Sequence, residues 1–238
     1  MDELAVLRAL HRPGTIVDVG AHDGALTVPL AGLPGARVVA FEPLPPAFAR
    51  LRAAVAGLPV ELHPQALGVG PGRLMLEAPV VGGILCEQWA SVAKDYAAIA
   101  AADPRVEGIE RWEVEVVALD SLGLTDVTAM KLDAEGAEEE VLRGAEATLR
   151  RCRPVLTAEI EERHRAGSTR AVPALLESLG YRGFFQLDGA WRGIEAFDQA
   201  TMQVASVSPA SFEASDPYVF VFLFLPEEQL REGGLRLP

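Results

Sequence analysis

Glycine and acidic residues follow two apolar runs near the amino terminus, in a pattern suited to binding a nucleoside. One run contains Asp18 and is followed by Gly20 and Gly24, and the next run along the chain ends at Glu42. Both runs are rich in β-branched residues, which is typical of buried parallel strands. Glycine lets the backbone turn sharply and approach a ligand, and an acidic side chain about 20 residues further on accepts hydrogen bonds from ribose hydroxyls in doubly wound folds. The two strand ends therefore predict a site for an adenosine-containing ligand.

The spacing of the glycines bears on which adenosine compound fits. A dinucleotide fingerprint is G-x-G-x-x-G, which cradles a pyrophosphate at a helix N-terminus. This loop has His22 between Gly20 and Gly24 and lacks that pattern. Its form, acid-x-Gly-x-x-x-Gly, is similar to the first motif of S-adenosylmethionine-dependent methyltransferases, whose ligand has an amino-acid tail and no phosphate. The alternative is a tight strand-to-helix turn with no ligand.

Apolar runs alternate with helical patterns along the chain, which predicts an α/β fold and a single domain over residues 1–238. Strands are predicted at residues 15–19, 37–41, 60–63, 127–132, 155–160, 184–187 and 218–225. Helices are predicted at 2–12, after Gly24, after Pro46, from Ala137 until Pro154 stops it, and at 172–179. Ligands bind at the carboxyl ends of the strands in such sheets. The residues predicted there for cofactor binding are Asp18, Gly20, Ala21, His22, Asp23, Glu42, Pro43, Gln65, Ala66, Leu67 and Asp133.

The alternation breaks between residues 69 and 116, and this stretch is predicted to be an insertion. Residues 73–77 and 112–116 can form a hairpin, with an alanine-rich helical stretch between them that holds Trp89 and Tyr96. A long insertion that leaves and rejoins a sheet near its ligand edge is commonly a lid or an acceptor pocket. The alternative is a hairpin that only decorates the sheet.

Several further motifs lie in a fixed order along the chain. They are residues 17–24, 40–43, 66–68, 119–122 and 131–136, followed by Glu138 and 141–145. Their order and spacing, over roughly residues 15 to 160, resemble the FkbM-like methyltransferases, which are named after a macrolide O-methyltransferase. The main departure is His22, where the family more often has Asn.

The resemblance implies a class I methyltransferase fold. This is a Rossmann-like three-layer α/β sandwich with a seven-stranded, mostly parallel sheet whose last strand is antiparallel. It also implies S-adenosylmethionine as the methyl donor and a hydroxyl acceptor on a small or medium-sized metabolite such as a sugar or polyketide.

Asp133 and Glu135 are the main catalytic candidates, because they follow a strand whose end lies near the transferred methyl in the fold that the resemblance implies. Methyl transfer is an in-line displacement in which the enzyme positions the acceptor oxygen and removes its proton. A carboxylate is a weak base for an aliphatic hydroxyl, so a divalent cation such as Mg²⁺ on Asp133, Glu135 and Glu159 is one solution. His164 is another candidate base, since imidazole has a better-matched pKa. The alternatives are a cofactor contact or helix cap for Asp133, and a place in the next helix's first turn for Glu135.

Composition excludes some partners. The formal net charge of −13 argues against a nucleic-acid or anionic-membrane partner, since phosphate binding needs clustered Lys and Arg. Two cysteines, an acidic start and no apolar run of about 18 residues favour a cytoplasmic location. The apolar insertion predicts a homodimer.

Two other functions are alternatives to methyl transfer. An NAD-dependent oxidoreductase is disfavoured by the missing G-x-G-x-x-G and by the lack of a Tyr-x-x-x-Lys pair. A non-catalytic scaffold with a methyltransferase fold predicts cofactor binding without turnover.

Overall fold

The structure is a computed structural model that describes residues 1–92, 94, 96–204, 216–231 and 237. Its strands are β1 Gly14–Val19, β2 Ala36–Phe41, β3 Val60–His63, β4 Ala66–Leu67, β5 Gly72–Val81, β6 Ile84–Leu85, β7 Val106–Val117, β8 Val127–Leu132, β9 Val155–Glu159, β10 Tyr181–Leu187, β11 Ala190–Gly193 and β12 Val221–Pro226. Its helices are α1 Glu3–Ala9, α2 Thr27–Ala31, α3 Pro45–Ala54, α4 Tyr96–Ala102, α5 Glu138–Arg143, α6 Glu146–Cys152, α7 Ser168–Ser178, α8 Gln199–Met202 and α9 Glu227–Arg231. Short 3₁₀ helices lie at Glu87–Trp89, Leu119–Leu122 and Ile194–Ala196.

The main sheet has the strand order β11-β10-β12-β9-β8-β1-β2-β3. Strands β1, β2, β3, β8 and β9 pair in parallel, and β12 is antiparallel to both of its neighbours. The predicted seven strands are therefore present, with the last one antiparallel as expected. Strand β11 is an eighth strand that the sequence analysis missed, because its four residues form only a short, partly exposed hairpin arm at the sheet edge.

Two hydrophobic layers cover the main sheet, one on each face. On one face Val17 and Met130 pack with α5, α6 and α7, and on the other Ile16 and Val38 pack with α1, α2 and α3. Successive residues of a strand point to opposite faces, so the continuous apolar runs of β1 and β2 serve both layers. The three-layer arrangement is the predicted one.

The insertion, together with β4 just before it, forms a second sheet, ordered β4-β7-β5-β6. The predicted hairpin is present and longer than expected, since β5 and β7 pair from Gly72↔Val116 to Val81↔Val106. Ala66 and Leu67, predicted at the end of the third strand of the main sheet, form β4 in this second sheet instead. Leu76 and Val114 pack on the start of α3, so the second sheet lies against the main body.

The single helix predicted after residue 137 is divided into α5 and α6. A Cβ on Gly144 would lie 1.8 Å from the carbonyl oxygen of Gly68, so the chain passes this point only as glycine. The side chain of Asp120 then accepts hydrogen bonds from the backbone N–H groups of Ala147 and Thr148, at 2.9 and 2.7 Å. A carboxylate on these N–H groups caps a new helix, which starts α6 where the periodicity predicts continuation. None of the described helices is long and apolar enough to cross a membrane.

Candidate active site

A cavity of about 460 Å³ lies at the carboxyl ends of β1, β2 and β8. This volume is within the range of about 300–1,000 Å³ that is typical of small-molecule sites. Each of the eleven residues predicted for cofactor binding lines it, and so do Glu135 and Glu159. The insertion forms another wall through residues that include Glu87, Trp89 and Ser91.

The turn after β1 is held tightly against its two neighbouring strands. Gly20 has φ +72°, and a Cβ there would lie 2.0 Å from the carbonyl oxygen of Asp133, so no other residue fits. The N–H groups of Gly20 and Ala21 both donate to the carbonyl oxygen of Phe41, at 3.0 Å. The turn therefore presents its backbone to the cavity in one orientation.

Glu42 is a buried acceptor at the next strand end. Its Oε2 accepts a hydrogen bond from the N–H of His22, and its Oε1 accepts one from the N–H of Leu44, both at 2.8 Å. Burial raises the pKa of Glu42 above its usual value, and these two hydrogen bonds oppose the shift. Each carboxylate oxygen keeps a second acceptor position. The carboxylate is thus fixed by the backbone and can still accept from the two hydroxyls of a ribose.

His22 and Gln65 are two further predicted contacts. His22 adopts a left-handed conformation at φ +50°, which disfavours most side chains but is several-fold enriched in Asn, Asp and His. This explains how His stands where the family more often has Asn. The Oε1 atom of Gln65 is buried and accepts no hydrogen bond within the described part of the chain, so it can accept one from a ligand amino group.

Asp18, at the end of β1, is fully buried. Its Oδ2 accepts a hydrogen bond from the hydroxyl of Thr27 at 2.6 Å, which anchors the first turn of α2. Its Oδ1 lies 3.8 Å from the Nζ of Lys131 and has no hydrogen-bond donor among the described residues. Through Oδ2, Asp18 thus orients the turn after β1, and the predicted contact of Asp18 with the cofactor stays a prediction.

Lys131 lies at the centre of the site, and the sequence analysis assigned it no role. Its Nζ donates to the carbonyl oxygens of Val19 at 3.0 Å and Gly20 at 2.6 Å. The Oδ2 atom of Asp133 lies 3.5 Å away, and only 5% of the lysine side chain is exposed. A lysine inside an apolar strand is the signal that points to it, because lysine is almost never fully buried without partners.

Asp133 and Glu135 end β8 and face the same cavity. The Oδ1 atom of Asp133 is buried and accepts no hydrogen bond from any residue that the structure describes. Glu135 has φ +50°, and its Oε2 accepts a hydrogen bond from the Nζ of Lys94 at 2.5 Å, while its carbonyl accepts one from the hydroxyl of Ser91 at 2.6 Å. Burial and the nearby Asp133 raise the pKa of Glu135 to about 7, although Lys94 lowers it.

His164 lies behind Glu135 rather than among the described lining residues of the cavity. Its Nε2 is 3.2 Å from Oε2 of Glu135 and 3.3 Å from Oε1 of Glu161. Burial lowers the pKa of His164 to about 2, and the charges of Lys94 and Arg163 add to the shift. From this nitrogen the neutral ring can donate a hydrogen bond to one of the two carboxylates. This position favours orienting Glu135 over receiving the acceptor's proton directly.

The structure does not bring the predicted metal ligands together. Within the described ranges, no group of three His, Cys, Asp or Glu side chains is arranged to hold a metal ion. Asp133 instead faces Lys131, and Glu135 is paired with Lys94. Burial and the nearby Asp133 raise the pKa of Glu159 to about 9, so its carboxyl group is protonated near neutral pH. The ligand set of Asp133, Glu135 and Glu159 stays a prediction that this arrangement does not support.

Comparisons with known proteins identify the family of this chain. A model of the methyltransferase FkbM domain matches residues 18–182. The chain belongs to the FkbM methyltransferase family. The resemblance found in the motifs is thereby confirmed, with S-adenosylmethionine as the methyl donor of the family.

A solved structure of an FkbM methyltransferase shares the fold of this chain, and two other methyltransferase structures resemble it more weakly. The FkbM methyltransferase of Methylobacillus flagellatus is 17% identical with a TM-score of 0.55, over 91% of this chain and 45% of that one. A Geobacter metallireducens precorrin-6y C5,15-methyltransferase is 14% identical with a TM-score of 0.46, over 93% of this chain and 85% of that one. A Thermotoga maritima SAM-dependent O-methyltransferase is 11% identical with a TM-score of 0.47, over 94% of this chain and 63% of that one. This chain thus spans less than half the length of the Methylobacillus protein, and a search of curated protein sequences gave no match.

The donors and acceptors of the cavity fit S-adenosylmethionine. Glu42 and Gln65 offer free acceptor positions to ribose hydroxyls and to an adenine amino group, and the Oδ1 atom of Asp133 offers one to an ammonium group or a hydroxyl. These acceptors line one cavity, beside the turn at Gly20, where the absence of a side chain leaves the backbone open to a ligand.

Proposed function

We propose that this methyltransferase transfers a methyl group from S-adenosylmethionine to a hydroxyl oxygen of a small or medium-sized metabolite, such as a sugar or a polyketide. The observation that carries the proposal is the Oδ1 atom of Asp133, a buried acceptor without a donor among the described residues, in the same cavity as Glu42. Glu42 marks the adenosine end of this cavity. Asp133 and Glu135 mark the acceptor end.

Four residues hold the cofactor in this proposal. Glu42 accepts from the ribose, Gln65 accepts from the adenine, and the backbone of Gly20 and Ala21 passes beside the methionine part. When bound, S-adenosylmethionine supplies a methyl group on a sulfonium sulfur that is already activated for displacement.

The chain's own work at the acceptor end is to orient a hydroxyl and take up its proton. Asp133 accepts a hydrogen bond from the acceptor hydroxyl through Oδ1, which aims the oxygen for an in-line displacement. As the new C–O bond forms and the methyl–sulfur bond breaks, the hydroxyl proton passes from its hydrogen bond with Asp133 to Glu135. Glu135, whose pKa is about 7, can hold that proton near neutral pH. His164 supports Glu135 from behind.

The partner of this reaction is a hydroxylated small molecule rather than a nucleic acid or a membrane surface. The net charge of −13 supports that choice, since clustered basic residues are needed to bind phosphates. A homodimer formed through the insertion and a cytoplasmic location belong to the same proposal. Sedimentation of the purified protein at several concentrations tests the dimer.

Calorimetric titration with S-adenosylhomocysteine tests the cofactor site. We expect micromolar binding by the wild type and at least a tenfold weaker affinity for Glu42→Ala, a loss of about 1.4 kcal/mol. Glu61→Ala is the matched control, because Glu61 lies on the adjacent strand β3 and outside the described lining of the cavity. No binding by the wild type, or binding of NADH alone, would overturn the methyltransferase proposal.

A transfer assay tests the reaction itself. Methyl-labelled S-adenosylmethionine is incubated with the enzyme and a set of sugars, polyketides and other hydroxylated metabolites, and labelled products are identified by mass spectrometry. We expect a methyl ether on at least one acceptor. Tight cofactor binding with no transfer to any hydroxyl would favour the non-catalytic scaffold.

A further inference from the structure

Lys131 is a buried cation in the floor of the cavity. The chain has only two lysines, Lys94 and Lys131, and only 5% of the Lys131 side chain is exposed. Burying an ammonium group is costly unless hydrogen bonds and opposite charges surround it. The contacts of Lys131 therefore indicate which groups it positions.

Its hydrogen bonds go to the turn after β1. The Nζ atom donates to the carbonyl oxygens of Val19 and Gly20, and the Val19 carbonyl also accepts from the N–H of Asp133 at 3.2 Å. Gly20 and Ala21 already donate through their N–H groups to Phe41. With its carbonyl on Lys131 and its N–H on Phe41, the Gly20 unit is held from both sides. Lys131 thus determines which way this stretch of backbone faces the cavity.

Its charge acts on carboxylates on both sides. Burial lowers the pKa of Lys131, but the carboxylates of Asp133 and Asp18 are the largest influences that raise it above the ordinary value, so the ammonium is retained. Asp133 is the carboxylate that faces the cavity, with Oδ2 3.5 Å from Nζ. Oδ2 is thus the oxygen that pairs with Lys131, and Oδ1 is the acceptor that has no donor among the described residues.

We propose that Lys131 is a positioning residue of the transferase site, which sets the Gly20–Ala21 backbone for the cofactor and turns Oδ1 of Asp133 toward the acceptor. This inference rests on the proposed function, because it takes the cavity to be the cofactor site. If Lys131 only packed the ends of β1 and β8 together, an apolar residue could take its place. Buried ion pairs can often be replaced by apolar residues without loss of stability. The lysine acts through Gly20 and Asp133 and takes no part in the bond changes.

The first test compares Lys131→Met with Glu3→Gln. Glu3 acts on the same lysine from α1 and lies outside the described lining of the cavity, so its substitution perturbs the buried charges without touching the site. We expect S-adenosylhomocysteine to bind Lys131→Met about tenfold or more weakly, since hydrogen bonds to a charged group are lost, and to bind Glu3→Gln as it binds the wild type. Equal binding by folded Lys131→Met and wild type would overturn the proposal.

The second test separates the effect on Asp133 from the effect on the turn. In the transfer assay, Lys131→Met is added to a protein that already carries Asp133→Asn. The further loss of turnover should be small, because the carboxylate that the lysine orients is already absent. The weaker binding of S-adenosylhomocysteine should persist in the double variant. Fully additive losses of turnover would show that Lys131 does not act through Asp133.

A measurement on the unmodified protein applies even if Lys131→Met does not fold. Lysine labelled with ¹⁵N at Nζ gives two signals, and Lys94→Met assigns them. Saturation with S-adenosylhomocysteine should shift the Lys131 signal, because the carbonyl and carboxylate that it contacts line the occupied cavity. An unchanged signal with bound ligand would overturn the role of Lys131. A wild type that does not bind the ligand would instead overturn the proposed function, and this inference with it.

Discussion

Glu42 is a buried carboxylate and Glu135 a partly buried one at strand ends of the same cavity, but different kinds of partner hold them. The oxygens of Glu42 accept from the backbone N–H groups of His22 and Leu44. Glu135 is held by the side chain of Lys94 and stands beside His164, which come from the insertion and from the loop after β9. Backbone donors are present whatever the side chains are. The proposed adenosine end is thus held by the backbone of the sheet, whereas the proposed acceptor end depends on particular side chains from distant segments.

The largest effect should come from breaking the backbone of the adenosine end. Gly20→Ala places a methyl group 2.0 Å from the carbonyl oxygen of Asp133 at φ +72°, so the turn must move. We expect a lower melting temperature and a loss of affinity for S-adenosylhomocysteine of about 100-fold or more, or about 2.7 kcal/mol. Calorimetry and thermal unfolding measure the two effects.

Gly57→Ala is the matched control for that substitution. Gly57 has φ +82°, but nothing lies within 4 Å of an added Cβ, so only the backbone strain of about 1–2 kcal/mol applies. Its ligand affinity should stay that of the wild type. If the two variants bound alike, the adenosine end would not depend on its backbone, and the contrast between the two ends would be wrong.

An intermediate effect should come from the side chains of the acceptor end. The base must be ionised to accept a proton, so the transfer rate should rise with pH through about 7, the pKa of Glu135. Lys94→Met removes the charge that lowers this pKa, so the rise should move to higher pH. At a fixed pH below the pKa of Glu135, the transfer rate of Lys94→Met should then be about tenfold lower for every pH unit by which that pKa rises. Glu135→Gln should abolish the rise of the rate with pH.

Binding of S-adenosylhomocysteine sharpens this prediction. Neither Lys94→Met nor Glu135→Gln touches Glu42 or the glycine turn, so both variants should keep the wild-type affinity. A pH profile that Lys94→Met leaves in place would show that Glu135 is not the titrating base.

The smallest effect concerns stability and the protonated Glu159. Its pKa is raised from 4.5 to about 9 in the folded chain, so between these values the folded state binds a proton that the unfolded state has released. Stability should therefore fall as pH rises from 7 to 9, by about 2–4 °C in melting temperature for each kcal/mol lost. His164 does not contribute in this window, because it differs from the unfolded chain only below its usual pKa of 6.5.

Glu159→Gln should flatten that slope, since an amide does not titrate. Glu61→Gln, at a half-exposed carboxylate, serves as the control and should keep the slope. Scanning calorimetry at four pH values between 7 and 9 gives the comparison. A wild type whose melting temperature is constant over this range would contradict the buried, protonated state of Glu159.

Sequence patterns predicted residues that line the cavity at the proposed adenosine end, because each feature of that end is local. Gly20, Glu42 and Gln65 lie at or just after the ends of apolar runs, and parallel strands place such ends side by side. The helix break at Gly144 was missed because it depends on the approach of Gly68 and on the cap from Asp120, which lie elsewhere in the chain. Hydrophobic periodicity carries no signal of either contact.

The amino-acid sequence was sufficient to predict the α/β sandwich, the antiparallel last strand through the family motifs, and the residues that surround the cavity. These follow from alternating apolar runs, glycine turns and acidic strand ends, whose physical requirements are met within a few residues. The electrostatics of the site could be determined only from the folded chain. They comprise the ammonium of Lys131 next to Gly20 and Asp133, the Lys94–Glu135 ion pair, and the position of His164 behind Glu135. Charges act through space and depend on burial, so their partners are known only once distant segments have come together.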